Sequence, residues 1–194
     1  MSRALLAFNP ETSSHAGNIL LFGVAVPRPA HGSGLSAIEE LNLASHFLEA
    51  RSGPDMAALL KYIIGRSGAA VGQTTHPHAA APLLQRLMRA AAVVRDALRS
   101  SAPEGSTLSP EGIFGTELEG LSPEDQEFET ARRFVQFAGE LTRAALRARR
   151  GAQADLNASY AERMATRRFA PGLLRALDRS AASFDTRSHM RLGR

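Results

Sequence analysis

Apolar residues recur at every third or fourth position between residues 36 and 64, and this spacing predicts two helices. Ser36 and Glu39 have the spacing of a capping box, so we expect the first helix to begin at Ser36 and to end before Gly53. The second helix is predicted from Pro54 to Ile64, and the short break between them favours an α-hairpin. The residues expected to be buried are Ile38, Leu41, Ala44, Phe47 and Leu48 in the first helix and Met56, Leu59, Leu60, Ile63 and Ile64 in the second.

The next segment, from Gly65 to Pro82, is predicted to be a loop because glycine, threonine and proline interrupt the apolar pattern. A third helix is expected to start between Ala79 and Pro82 and to end near Ser100. Its predicted buried residues are Leu83, Leu84, Leu87, Met88, Ala91, Val94 and Leu98. Serine, proline and glycine dominate residues 101–112, which are predicted to be a linker.

The longest predicted helix starts at Ser122 and runs towards Arg150. Ser122 is expected at the N-cap, with Pro123 in the first helical position and Asp125 in the third. Its expected apolar face is formed by Phe128, Ala131, Phe134, Val135, Phe137, Ala138, Leu141, Thr142 and Ala145. A further helix is predicted between Asp155 and Phe169, followed by a short segment from Pro171 to Leu177.

These elements predict an all-α fold of about five helices in a bundle or hairpin array, with irregular ends. Alanine and leucine supply most of the apolar residues, whereas the strand-forming aromatic residues make up only 6% of the chain, which agrees with that class. The predicted parts are an irregular arm (1–35), a helical hairpin plus third helix (36–100), a linker (101–112), a long helix plus C-terminal helices (113–179) and a tail (180–194).

The lack of cysteine and of a long apolar segment narrows the range of functions that the sequence allows. The chain has no cysteine, which excludes disulfides, thiolate nucleophiles and cysteine-based metal sites. The longest clean apolar run, Ile19–Val26, is too short to span a bilayer, which takes about 20 residues. A polar stretch after Phe8 interrupts what would be the apolar part of a secretory signal. The sequence does not determine the compartment of the protein. Of the possible compartments, the cytoplasm is favoured.

Charge is unevenly distributed. Lys61 is the single lysine, so the basic residues are almost all arginine. Residues 104–129 carry eight acids and no base, whereas residues 130–194 carry fourteen arginines and five acids. Arginine favours bidentate contacts with phosphate or carboxylate, but its abundance together with alanine is also typical of a GC-rich genome. Binding to nucleic acid or to an anionic membrane surface therefore remains an alternative, although the acidic residues at 104–129 would repel phosphate groups.

Candidate chemistry is sparse. The sequence lacks the nucleophile-elbow, zinc-protease, phosphate-loop and dinucleotide-binding motifs. His76 and His78 are a possible pair of metal ligands without a third ligand nearby, and His46 with Glu49 matches half of a di-iron pattern. Glu127 and Glu129 are two positions apart and point to different sides of a helix. We therefore predict no catalytic residue, no metal or cofactor site and no small-molecule substrate.

Three blocks of the sequence resemble a family of uncharacterised bacterial helical proteins. The blocks are "IFGTELEGLSPEDQEFETARRFVQFAGEL" at 113–141, the hairpin at 38–64 and "FAPGLLR" at 169–175. The segment between the blocks is short and polar in this chain, whereas the corresponding segment of that family is nearly long and apolar enough to span a membrane. The resemblance implies a bacterial protein with a preserved interaction surface, and it implies no enzymatic activity.

The function predicted from the sequence is that of a small, non-enzymatic interaction or accessory protein acting through a protein partner or through self-association. Membrane or envelope association and nucleic-acid binding are the alternatives. Four charges have no clear role in starting the long helix, and they are the predicted contact residues: Glu117, Glu119, Arg132 and Arg133.

Overall fold

The computed structural model describes residues 33–72, 77–100, 109–115, 117–118, 120–148 and 154–178. These residues form seven helices and no strand, which confirms the all-α class and adds two helices to the predicted number of about five. The helices are α1 (Ala37–Glu49), α2 (Gly53–Ala69), α3 (Pro77–Arg99), α4 (Pro110–Phe114), α5 (Pro123–Arg147), α6 (Ala154–Phe169) and α7 (173–178). Most of the predicted arm and the whole predicted tail at 180–194 lie outside the described residues.

The long helix α5 is the centre of the fold, and it packs against α1, α2, α3, α4 and α6. Phe134 is fully buried on α5, and its ring lies 4.6 Å from that of Phe47 on α1 and 6.4 Å from that of Phe137. The predicted apolar face of α5 is confirmed, because its alternation of three and four residues matches the helical period over its whole length.

Serine residues determine where the helices begin. The Ser36 hydroxyl accepts a hydrogen bond from the Glu39 amide, and the Glu39 carboxylate accepts one from the Ser36 amide, so the predicted capping box is confirmed. Ser52 forms a second capping box with Asp55 at the start of α2. The predicted cap at Ser122 is also confirmed, since its hydroxyl accepts from the Asp125 amide.

The buried face of α1 differs from the predicted one. Ile38 is 72% exposed, and Leu41 and Leu48 are exposed as well. Leu43 takes their place in the core beside the expected Ala44 and Phe47. The same side of the helix buries Glu40, which accepts hydrogen bonds from the Ser33 hydroxyl and from the Gln136 side-chain amide.

Two predicted boundaries are wrong. Helix α2 continues through Gly65 to Ala69, and it buries Ser67 and Gly68 on the way. Helix α3 begins at Pro77, before the predicted start, so most of the predicted loop from Gly65 to Pro82 is helical. A glycine in a helix costs only about 1 kcal/mol, and the packed face of α2 outweighs that cost.

A short helix, α4, forms where the composition indicates the end of a linker. Ser109 caps it, and its Ile113 and Phe114 are buried. The turn between α6 and α7 packs directly on α4, since the Gly172 amide donates a hydrogen bond of 3.0 Å to the Ile113 carbonyl. This contact joins α4 to the last described part of the chain.

Candidate interaction groove

The structure gives the predicted contact arginines an intramolecular role. Arg133 Nε lies 2.8 Å from Glu129 Oε1, and Arg132 Nη1 lies 3.3 Å from Glu129 Oε2. Glu117 is exposed in the turn before α5, and Glu119 lies outside the described residues. A contact role for these four residues stays a prediction. The ion pairs with Glu129 explain why both arginines lie near the start of α5.

The histidines considered as metal ligands are not brought together with further ligands in the described part of the chain. No group of three or more histidine and carboxylate side chains suited to a metal ion occurs among the described residues. His76 and the side chain of His78 lie outside them. His46 Nδ1 lies 3.5 Å from Glu49 Oε2, and both side chains are mostly exposed.

A concave surface lies between α1 and α2. This groove has a volume of about 590 Å³. Residues from both helices line it: Glu39, Asn42, Leu43, His46, Glu49, Ala50, Asp55, Ala58, Leu59 and Tyr62. The two helices that form it begin at capping boxes, at Ser36 and at Ser52.

The rim of the groove carries three carboxylates, one of which is ion-paired with Arg66. Glu39, Glu49 and Asp55 contribute these carboxylates, and the described lining contains no lysine or arginine. A backbone hydrogen bond from Ser36, together with hydrogen bonds from Arg66 and the Ser36 hydroxyl, lowers the pKa of the Glu39 carboxyl from 4.5 to about 2. Hydrogen bonds from the Ser52 side chain and amide lower the pKa of Asp55. Both carboxyls are therefore ionised at neutral pH.

The floor of the groove is apolar, and one aromatic ring is left uncovered. Leu43 is buried and Leu59 is partly buried, whereas Tyr62 is 52% exposed. A half-exposed tyrosine beside aliphatic side chains presents a ring face to a binding partner, and the Tyr62 hydroxyl lies against the Arg66 guanidinium. The groove therefore combines an apolar floor with an acidic rim.

Reasoning from the sequence missed this groove, because its lining is divided between two helices. A usable signal is present nonetheless. His46, Glu49 and Tyr62 do not belong to the apolar stripes predicted for the hairpin, yet pairing those stripes in an α-hairpin places the three side chains along one edge.

The low pKa of Glu39 predicts a pH-dependent stability difference. A carboxyl whose pKa is lowered by folding stabilises the folded state above its ordinary value of 4.5, and this contribution disappears as the pH falls towards 2. Glu39→Gln keeps a side chain that can complete the capping box but removes the charge. The wild type should therefore exceed Glu39→Gln in free energy of unfolding at pH 6, and the difference should narrow between pH 4.5 and 2 in urea titrations.

Arg66 provides the control for that measurement. Its guanidinium donates to Glu39 across α1 and α2, with Nε 2.8 Å from Oε1. When Arg66 is replaced by glutamine, the difference in free energy of unfolding between the forms with glutamate and with glutamine at position 39 should become smaller at every pH above 4.5. If the difference in free energy of unfolding between the wild type and Glu39→Gln does not change with pH, the low pKa of Glu39 is contradicted.

The chain matches no known protein family, no curated protein and no solved structure. The resemblance of its three blocks to uncharacterised bacterial helical proteins therefore stays a prediction. Within the described ranges, no helix combines the length and the apolar character needed to cross a membrane.

Proposed function

We propose that this chain is a non-enzymatic interaction protein whose α1–α2 groove binds a basic amphipathic helix of a partner protein. The observation that carries the proposal is the composition of the groove, an apolar floor at Leu43 and Leu59 inside a rim of three carboxylates. Amphipathic helices bind grooves of this kind by inserting apolar side chains spaced three and four residues apart.

The charges of the groove specify the partner. Glu39 and Asp55 are already engaged in capping hydrogen bonds, whereas the Glu49 side chain is 74% exposed and lies 3.5 Å from His46 Nδ1. We therefore expect an arginine or lysine of the partner to meet Glu49, with an aliphatic or aromatic side chain beside Tyr62. Such charge complementarity favours basic partners over acidic ones.

The same charges disfavour nucleic acid at this surface, since phosphate is repelled by carboxylates that stay ionised at neutral pH. Nucleic-acid binding and membrane or envelope association remain alternatives for the basic surfaces elsewhere on the chain. Glu117, Arg132 and Arg133 remain a second possible contact surface, and the experiment on the groove is designed to distinguish the two.

A designed 18-residue helical peptide tests the proposal. It carries leucines on one face and arginines on both flanks, and its matched control replaces every arginine with glutamate. In an NMR titration of the full chain, the arginine peptide should shift the amide signals of α1 and α2 around Tyr62, and the glutamate peptide should not. Glu49→Arg should weaken binding at least about tenfold, which corresponds to about 1.4 kcal/mol.

The control variant is Glu117→Arg, which makes the same charge change at an exposed glutamate outside the groove. It should bind the peptide within about twofold of the wild type. If Glu117→Arg weakens binding and Glu49→Arg does not, the contact surface lies at the start of α5 and the groove proposal is wrong.

A further inference from the structure

A second surface that no described residue covers lies on the outer side of α6. Leu156, Tyr160 and Met164 are spaced four residues apart, so they lie on one side of the helix. Their exposed fractions are 60%, 54% and 47%. The opposite side of α6 packs on α3 and α5 through Ala158, Ala161 and Ala165, which are buried. The stripe is therefore left over after α6 has made its contacts within the fold.

The surface beside this stripe is positively charged. Arg163 and Arg167 are exposed and lie three and seven residues after Tyr160, on the same side of the helix. Glu162 is the only acidic residue between positions 156 and 169, and it points inwards, where it pairs with Arg86 on α3. We name the exposed residues Leu156, Tyr160, Arg163, Met164 and Arg167 the α6 face.

The α6 face resembles the basic amphipathic helix that we propose as the ligand of the groove. It is helical and apolar along its centre, and it bears arginines where the groove bears carboxylates. From residue 156 to 164 the stripe is about 12 Å long at 1.5 Å per residue, so it occupies the length of about two turns of the facing hairpin. Neither surface has another described partner in the chain that would satisfy both its charge and its apolar area.

We infer that the α6 face of one copy docks into the α1–α2 groove of a second copy of this chain, an inference that rests on the proposed function of the groove. Tyr160 and Met164 would cover Leu59 and Tyr62, and Arg163 would approach Glu49. The two surfaces belong to different helices, so a single such contact is heterologous, and a pair of copies keeps one free groove and one free α6 face.

This contact area is small, so self-association is weak. Stable complexes usually bury more than about 1,200 Å² in total, and a contact of two helical turns in a groove falls below that range. The assembly should therefore grow with protein concentration above about 50 µM and dissociate as salt is added, because its charges lie near solvent. A head-to-tail contact also permits open chains of copies rather than a single closed dimer.

Sedimentation velocity of the full chain tests this inference with one charge reversal and one removal of charge. Glu49→Arg disables the groove, and the double variant Arg163→Gln/Arg167→Gln disables the α6 face without adding carboxylates that could pair with the arginine introduced at position 49. Each should be monomeric alone at a concentration where the wild type associates. An equimolar mixture should form a heterodimer, because one partner keeps an intact α6 face and the other an intact groove. The mixture should stop at two copies, whereas the wild type continues to larger species.

Several outcomes would overturn the inference. They are a wild type that stays monomeric up to about 500 µM, a mixture that stays monomeric, and a Glu49→Arg variant that still associates, as a symmetric contact between two α6 faces would allow. Binding of the α6 face to vesicles of anionic phosphatidylglycerol by a monomeric wild type would likewise replace the second copy with a membrane surface.

Two further measurements keep the result interpretable. Tyr160→Ser removes the exposed ring without changing charge, and it should reduce association even if a charge reversal perturbs folding, which circular dichroism reports. The designed arginine peptide separates the two proposals. If it binds the groove of a chain that does not self-associate, the inference fails and the proposed function stands, whereas failure of the peptide as well rejects both.

Discussion

Replacing Gly172 with alanine is expected to destabilise the fold by about 3 kcal/mol, because the added methyl group meets backbone rather than a movable side chain. A Cβ atom at this position would lie 1.8 Å from the Gly112 carbonyl oxygen and 3.0 Å from the Ile113 Cα atom. Relief requires the turn after α6 to separate from α4, which breaks the hydrogen bond between the Gly172 amide and the Ile113 carbonyl.

Thermal unfolding followed by circular dichroism measures this effect, and the expected fall in Tm is about 6–12 °C. The matched control is Gly65→Ala in the middle of α2, where an added Cβ atom meets nothing within 4 Å. That variant should be more stable than the wild type by about 0.5–1 kcal/mol, because alanine restricts the unfolded chain and favours helix. Equal effects of the two substitutions would show that α4 does not contact residue 172.

Phe134→Ala is expected to have a still larger effect, about 4 kcal/mol, since it removes the ring at the centre of the core. Phe134 is completely buried and lies between Phe47 on α1 and Phe137 on its own helix. Its loss opens a cavity at the junction of α1 and α5, and neighbouring helices can fill that cavity only partly because other contacts hold them in place.

Urea denaturation gives this free energy directly. The control is Phe128→Ala, the same substitution on the same helix at a partly buried position, which should cost about half as much. A third variant, Phe134→Leu, keeps most of the volume and should lose only about 1–2 kcal/mol. If Phe134→Ala and Phe128→Ala have equal effects, the ring of Phe134 does not occupy the centre of the core.

The accuracy of the sequence-based prediction depends on how local the relevant information is. Helix α5 is predicted well because Ser122, Pro123 and a long regular apolar stripe all lie within it. The face of α1 is predicted wrongly because apolar residues occur on several of its sides. The choice between those sides depends on packing against α5, where Phe47 meets Phe134 and Glu40 meets Gln136, which lies 96 positions away in the sequence.

The candidate site was less predictable than the fold for the same reason. The sequence singles out four charges because they do not help to start α5, a criterion that finds residues without a local role. Arg132 and Arg133 then prove to pair with Glu129, one turn before them on the same helix. The groove and the α6 face become visible only once packing shows which side chains, such as Tyr62 and Tyr160, stay exposed.

The central position of α5 also has a consequence for synthesis of the chain on the ribosome. The α1–α2 hairpin is complete at Ala69, but the helix that covers its apolar side ends only at Arg147. At 5–20 residues per second, about 4–16 seconds separate the two events. During that interval Phe47 on α1 lacks the Phe134 ring of α5 that lies 4.6 Å from it in the folded chain. We therefore expect a nascent chain stalled before α5 to be a strong ligand for chaperones, and one extended beyond α5 to be released from them.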